Sequence, residues 1–286
     1  MSPVSAPSAA FPDASRYRLV ATYAVLAVVA CVVIVPLVAV ALGGFKSLGE
    51  LRVNPIGLPR EWLWTNYTDI LSSPSYWRML KNSLVIAALS VIVTVLLASM
   101  AAFAFAHIRF LGSRLLSGYF LLGIMFPMAT AAVPLFVLIR DLGLLDSYMA
   151  IVLPKVAGGL SVAIVLFSNY FRQMPPELFE AAAVDGCGHW RYYLYIVMPL
   201  AGPIVATVSI VNFVACWNMY FLPLVLLSSP EMMTWPVRLM DYTGERGSDW
   251  GLICAYVTLT MLPTIVVFLL AQRHILSGLT AGAVKS

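Results

Sequence analysis

Charge is what this sequence has least of: Asp, Glu, Lys and Arg make up 10% of its residues and hydrophobic side chains 61%, where a soluble domain carries roughly 25% and 45–50%. A water-solvated globule is excluded, because too few polar side chains remain to cover one. Acid and imidazole are missing altogether from the long apolar runs defined below. A proton- or sodium-coupled carrier needs carboxylates or ion-coordinating broken helices at membrane depth, and an intramembrane hydrolase needs a base beside its nucleophile. Both classes fall away. There is no G-x-x-x-x-G-K-[ST] phosphate loop either; the nearest cluster, Gly43-Gly44-Phe45-Lys46-Ser47, has the wrong spacing. Cysteine is scarce, and Cys31, Cys187, Cys216 and Cys254 show no metal-site or redox spacing. They read as packing residues.

What is abundant is apolar length. A bilayer core of about 30 Å takes roughly 20 residues of helix, and six nearly uncharged stretches are long enough: 19–42, 83–106, 116–139, 149–171, 203–227 and 250–270. Only helices satisfy so much lipid-exposed backbone. The fold class expected is therefore all-α, a polytopic integral membrane protein with six transmembrane helices. Residues 1–18 are rich in Ala, Ser and Pro and read as a disordered tail. The run after Arg18 is too long for a signal peptide and is expected to stay as an anchor.

An even number of crossings puts both termini on one side, with the long loops 43–82 and 228–249 on the other. Lys and Arg divide evenly between the two sides, so the positive-inside rule does not decide. Pro36, Pro127, Pro134, Pro154, Pro223 and Pro263 fall within the spans and predict kinks there, or else reflect the ordinary tolerance of membrane helices for proline.

The most informative polar stretch lies between the fourth and fifth spans. Pro175-Pro176-Glu177-Leu178-Phe179-Glu180-Ala181-Ala182-Ala183-Val184-Asp185-Gly186 reads as a short helix with both ends marked. Proline suits a first turn, acids favour the N-terminus, and glycine can take the left-handed conformation that ends a helix. Three residues separate Glu180-Ala181-Ala182 from Gly186, and nine more lead to Ile196-Val197-Met198-Pro199.

This pattern resembles the EAA loop of ABC importer permeases, departing from it at Met198. Cys187 stands where the sugar-importing branch usually has Ala. Gln272-Arg273, the stretch from Gly278 to Lys285, Asn66-Tyr67, Asn82-Ser83 and Trp217-Asn218 extend the resemblance to maltose-type sugar permeases over nearly the whole chain. The resemblance implies a type I importer permease fold with core 83–271, a cytoplasmic coupling loop 172–199, an external loop 228–249 and a cytoplasmic C-terminal tail 272–286. It also implies cytoplasmic termini in the inner membrane. The implied partners are a second homologous permease, a dimer of ATP-binding subunits, an external solute-binding protein and membrane lipid, with no nucleic acid. No cofactor is expected on this chain; ATP and Mg belong to the partner subunits. The chain is expected not to be an enzyme.

Swinging a two-state gate from 1:99 to 99:1 takes about 5.5 kcal/mol, and an exposed ion pair supplies about 0.2–1 kcal/mol. Shape packing by Phe179, Ala182, Ala183 and Gly186 is thus expected to carry the coupling to the ATPase, with Ala181 and Asp185 in the same motif and the charge of Glu180 secondary. For the solute path, Asn212, Trp217, Asn218 and Tyr220 offer amides and rings suited to a sugar, or alternatively interhelical packing. Lys155 is the lone charge within a span, about 9 Å along the helix from its external end. It either snorkels outward or faces the translocation cavity, where it meets a partner's carboxylate or an anionic substrate. Trp235-Pro236, in the loop 228–249, resembles the segment that reaches into the binding protein; the other reading is a solvated connector. An importer of a related polar solute, such as glycerol phosphate or an amino-sugar derivative, is the alternative to a sugar.

Overall fold

The computed structural model describes residues 14–244 and 247–283. Residues 1–13 of the expected tail, and Val284 and Lys285 of the C-terminal motif, lie outside the described residues. The chain is helical apart from a two-residue ladder pairing Thr243 with Ser248. Its helices are α1 (Ala14–Gly43), α2 (Leu48–Val53), α3 (Thr65–Ser72), α4 (Pro74–His107), α5 (Ser113–Ile124), α6 (Ala132–Asp141) and α7 (Tyr148–Phe171). After these come α8 (Glu177–Val184), α9 (His189–Tyr192), α10 (Met198–Leu200), α11 (Gly202–Trp217), α12 (Phe221–Leu226), α13 (Trp235–Arg238) and α14 (Trp250–Ala283). A π-helical turn, Tyr193–Val197, joins α9 to α10.

Among the described residues four helices are long and apolar enough to cross a membrane: Arg18–Gly43, Pro74–His107, Tyr148–Phe171 and Trp250–Gln272. Two bent pairs reach the same length and apolarity when each is taken as one span, Ser113–Ile124 with Met128–Asp141 at 91° and His189–Leu200 with Gly202–Trp217 at 76°, which gives four to six candidate spans. Several expected boundaries are corrected. Helix begins at Ala14, so the segment 14–18 is not a disordered tail. The span 116–139 is not one rod, because Pro127 adopts an extended conformation and cannot donate to the preceding turn. The expected span 203–227 is not one helix: α11 ends at Trp217, α12 is separate, and the bent pair that contains α11 begins upstream at His189. Pro36, Pro154 and Pro263 sit inside continuous helices, whereas Pro134 and Pro223 fall in the first turns of α6 and α12, where no hydrogen bond is lost.

Two compact units divide the chain. In the larger, Asp69–Ser248 with Leu259–Ser286, α7 lies along α4, flanked by α5 and α11. The close approach follows from sequence: Ser83, Ala87, Ser90, Thr94, Ala98 and Ala102 recur at helical spacing on the buried face of α4, and small side chains let membrane helices approach backbone to backbone. Gly159 of α7 shows how tight the junction is. A Cβ there would meet Asn212 Oδ1 of α11 at 2.9 Å and Thr94 of α4 at 3.8 Å.

The smaller unit holds Met1–Thr68 and Asp249–Thr258. Within it, α1 exposes Val and Leu on every side from Leu19 to Val38, a surface suited to lipid. The loop that follows folds around Lys46, which is 0% exposed. Its ammonium donates to the carbonyls of Asn54 at 2.8 Å and Gly57 at 2.5 Å. Phe45 packs among the rings of Trp62, Trp64 and Tyr67, and the Tyr67 hydroxyl donates to Ala41 O at 2.7 Å. Burial pushes that hydroxyl's pKa up.

Candidate functional site

Three places in the larger unit carry the expected chemistry. The first is α8. Pro175 and Pro176 lead into it, Glu177 and Glu180 occupy its first turn, and it ends in a Schellman motif: Gly186 N donates to Ala183 O at 3.0 Å and Cys187 N to Ala182 O at 2.9 Å. Gly186 has φ +74°, while a Cβ there would meet nothing within 4 Å, so the demand for glycine is one of backbone conformation alone.

The faces of α8 differ from expectation. Ala182 is 5% exposed and packs into the core formed by α4, α7 and α9. Phe179 lies against His189 and Tyr192, ring centroids 5.2 and 5.1 Å apart. Tyr192 in turn meets Phe103 and His107 of α4. These two residues, expected to form the docking surface, face this chain instead, because an apolar ring and a methyl on the one buried stripe of a short helix are what hold it down. The outward positions are Glu180, Ala181, Ala183, Asp185, Gly186 and Val184, the last 88% exposed.

The second place is a cavity of about 780 Å³ at the break between α5 and α6, walled by α5, α7 and the C-terminal end of α11. Tyr119, Phe120, Phe126 and Phe221 give it rings, and Lys155 and Ser161 of α7 give it polar groups. None of the rings was singled out from sequence, since aromatic residues in an apolar run look the same whether they face lipid or a cavity. Of the expected solute-path residues, only Lys155 lines this space. Asn212 is buried, its amide donating to Val208 O of its own helix at 3.0 Å. Trp217 is 2% exposed, stacks on Phe213 and donates to Thr260 O at 3.1 Å. Asn218 is exposed and donates to Val214 O at 3.0 Å. Tyr220 contributes to a separate cleft with Trp235, Pro236, Leu239 and Met240. The fifth-span polar residues therefore do not converge on one surface; α11 turns Asn212 and Trp217 into the helix junction.

The third is the start of the loop 228–249, which is stapled down. Asn82 donates to Glu231 O at 2.7 Å and Met233 O at 3.0 Å while accepting from the Tyr148 hydroxyl at 2.8 Å. Asp146, at φ 57°, accepts from the backbone N–H groups of Ser228 and Ser229 at 3.1 and 3.0 Å. Hydrogen bonds from Ser229, backbone first, hold its carboxyl below the usual carboxylate range. Trp235 donates through Nε1 to Trp217 O at 2.7 Å and through its backbone N–H to Ser83 Oγ at 3.0 Å. Pro236 is buried. Trp235 and Pro236, expected as contacts for a binding protein, hold the loop against α4 and α11 while lining the cleft beside Tyr220; Pro230, Glu231 and Met240 point outward. Among the described residues no cluster of His, Cys, Asp and Glu could hold a metal ion.

Comparison with known proteins gives this architecture a lineage. Residues 94–275 match the family described as "Binding-protein-dependent transport system inner membrane component". The chain is 31% identical over 266 residues to the diacetylchitobiose uptake system permease protein NgcG of Streptomyces coelicolor, covering 92% of this chain and 88% of that one. It is 36% identical over 224 residues to the trehalose/maltose transport system permease protein MalG of Thermococcus litoralis, covering 77% and 80%. Its fold is similar to a chain in the crystal structure of a bacterial ABC transporter involved in the import of the acidic polysaccharide alginate, with TM-score 0.79 at 22% identity over 93% and 99% of the two chains. The bent crossings and the capped α8 thus sit in a chain whose family match spans α4 to α14, and the protein belongs to the binding-protein-dependent transport inner membrane components: it is a multi-pass inner-membrane permease of an ABC importer, the transmembrane and not the catalytic part.

Proposed function

We propose that this permease imports a sugar, driven by ATP hydrolysed with Mg on separate subunits that dock on the outward face of α8, with both termini in the cytoplasm. The complete importer holds one copy of this chain, a second related permease, two ATP-binding subunits and an external binding protein. The sugar reading draws on relatives named for diacetylchitobiose and for trehalose and maltose. The mechanical reading rests on one observation, the two-faced build of α8. Its inner face is fixed by Phe179 and Ala182, and its outer face presents Ala181, Ala183 and Gly186 as a low strip beside the longer Glu180, Val184 and Asp185. A partner can approach such a face closely, and any push on it is delivered through Phe179 to the α4 and α9 rings.

In a reconstituted importer, Ala181→Leu is expected to leave the permease's melting temperature unchanged and to abolish solute-stimulated ATPase activity and uptake. Ala182→Leu is expected to destabilise the chain itself by about 1–3 kcal/mol, because it overpacks a buried site. If Glu180→Gln stopped transport while Ala181→Leu did not, charge and not shape would carry the coupling. Orientation has its own check: Val184→Cys, in a chain whose native cysteines are replaced by serine, should resist a membrane-impermeant thiol reagent in intact cells and react in inverted vesicles.

A further inference from the structure

We propose that the solute carries an anionic group, a carboxylate or a sulfonate, and that Lys155 is the cationic point in the permease that receives it. The inference rests on the importer reading above and adds the charge of the substrate to it.

An ammonium at membrane depth is costly and persists where it pairs with an anion or lines a hydrated path. Lys155 has the second setting without the first. Its α7 position puts it on the wall of the 780 Å³ cavity, and no Asp or Glu lines that space. The ion pairs among the described residues are Arg78 with Glu231, Arg140 with Asp141 and Arg238 with Asp241. None involves Lys155, and no backbone carbonyl accepts from it among the described residues, unlike Lys46 with its two.

The rest of the wall fits a saccharide. The volume lies within the roughly 300–1,000 Å³ of small-molecule sites. Tyr119, Phe120, Phe126 and Phe221 offer apolar faces for ring C–H groups, and the Ser161 hydroxyl is a further polar group on the helix that bears Lys155. A neutral sugar entering this space would strip hydration from the ammonium and return only dipolar contacts. An anion returns a charge-assisted hydrogen bond, the stronger kind. The cavity therefore sorts solutes by charge, and it does so at the break between α5 and α6, where a crossing that is not a single rod leaves room for cargo.

The test uses the complete importer purified with its companion subunits, reconstituted in liposomes, with ATP-dependent uptake measured for a uronic-acid disaccharide, a sulfonated hexoside and their neutral parents. Wild type should favour at least one anionic solute over its parent by about tenfold, the effect of one charged hydrogen bond. Lys155→Met and Lys155→Gln should erase that preference, bringing the ratio of anionic to neutral uptake down to about one, and Lys155→Arg should keep it. Comparing the two anionic solutes tells carboxylate from sulfonate. Equal uptake of neutral and anionic sugars by wild type would overturn the proposal and leave the sugar importer standing. So would a uniform loss in Lys155→Met with the two permeases separating on gel filtration, which would assign Lys155 to a carboxylate of the second permease. If no saccharide moves at all, the sugar reading itself fails and this inference with it.

Discussion

The loop after α1 and the cavity beside α7 treat the same side chain in opposite ways. Lys46 is enclosed, and its ammonium is held by carbonyls a few residues along its own loop. Lys155 lines an open wall with no anion beside it among the described residues. The first lysine is a structural hub: it ties the start of the loop to the chain just beyond α2, at Asn54 and Gly57, and its burial is tolerable because its hydrogen bonds close within the loop. The second makes no ion pair among the described residues that would tie it to the fold. Asn82 and Asp146 belong with Lys46, since their polar atoms close on the loop 228–249. Polar groups that close internally describe how the chain stays folded, whereas Lys155, which pairs with no anion among the described residues, is the group we assign to the solute.

The sharpest way to break this contrast is Lys46→Met, which leaves two loop carbonyls without donors and should cost about 3 kcal/mol. Thermal melting of the purified chain in detergent measures it; a variant melting with wild type would show that the loop does not depend on its lysine. Asn82→Ala removes three hydrogen bonds and should cost about 2 kcal/mol, with faster amide exchange at Glu231 and Met233 as the local readout. Asp146 sharpens the contrast through pH. Its folded carboxyl has a lowered pKa, so its contribution is fully present above the ordinary carboxylate range and is lost as pH falls through the lowered value. The melting difference between wild type and Asp146→Asn should therefore be present near neutral pH and vanish in strong acid. Smallest of all should be Lys155→Met, which changes stability by no more than about 0.5 kcal/mol and can raise it; a large loss would mean that Lys155 closes on this chain after all.

How much of this could be read from residues alone varies by element. The continuous crossings are plain, because length and apolarity are local properties: the runs within α1, α4, α7 and α14 identify themselves. Their ends are not plain. Helix α4 starts at Pro74, before the apolar run, because Tyr76 and Met79 find buried contacts there that no window of hydropathy reports. Pro127 was marked as unusual, but whether a proline kinks or breaks a helix depends on what neighbours supply to the freed groups, as the intact α7 around Pro154 shows. The capped α8 was legible from Pro176 to Gly186 because caps are local too. Which of its faces turns inward was not, since Phe179 and Ala182 acquire that role from His189 and Tyr192 across a turn. Lys155 announced itself by rarity, and the aromatic wall around it stayed hidden.

The π turn at Tyr193–Val197 has a mechanical corollary. Met198 N–H reaches back to Tyr193 O, five residues away, so this stretch stores one residue more than an α-helix of the same height. Each residue of α-helix is worth about 100° of rotation. Sliding the surplus residue along the rod turns whatever lies on one side of it, like a thread advancing in a nut, without tearing the backbone open. Ser99 and Tyr193, hydroxyl to hydroxyl at 2.8 Å, then act as the detent that fixes the resting angle. Along the backbone, α8 is joined to α11 through that threaded joint, while Tyr192 links the same stretch sideways to the α4 rings, so the connection has a component of torque as well as tilt.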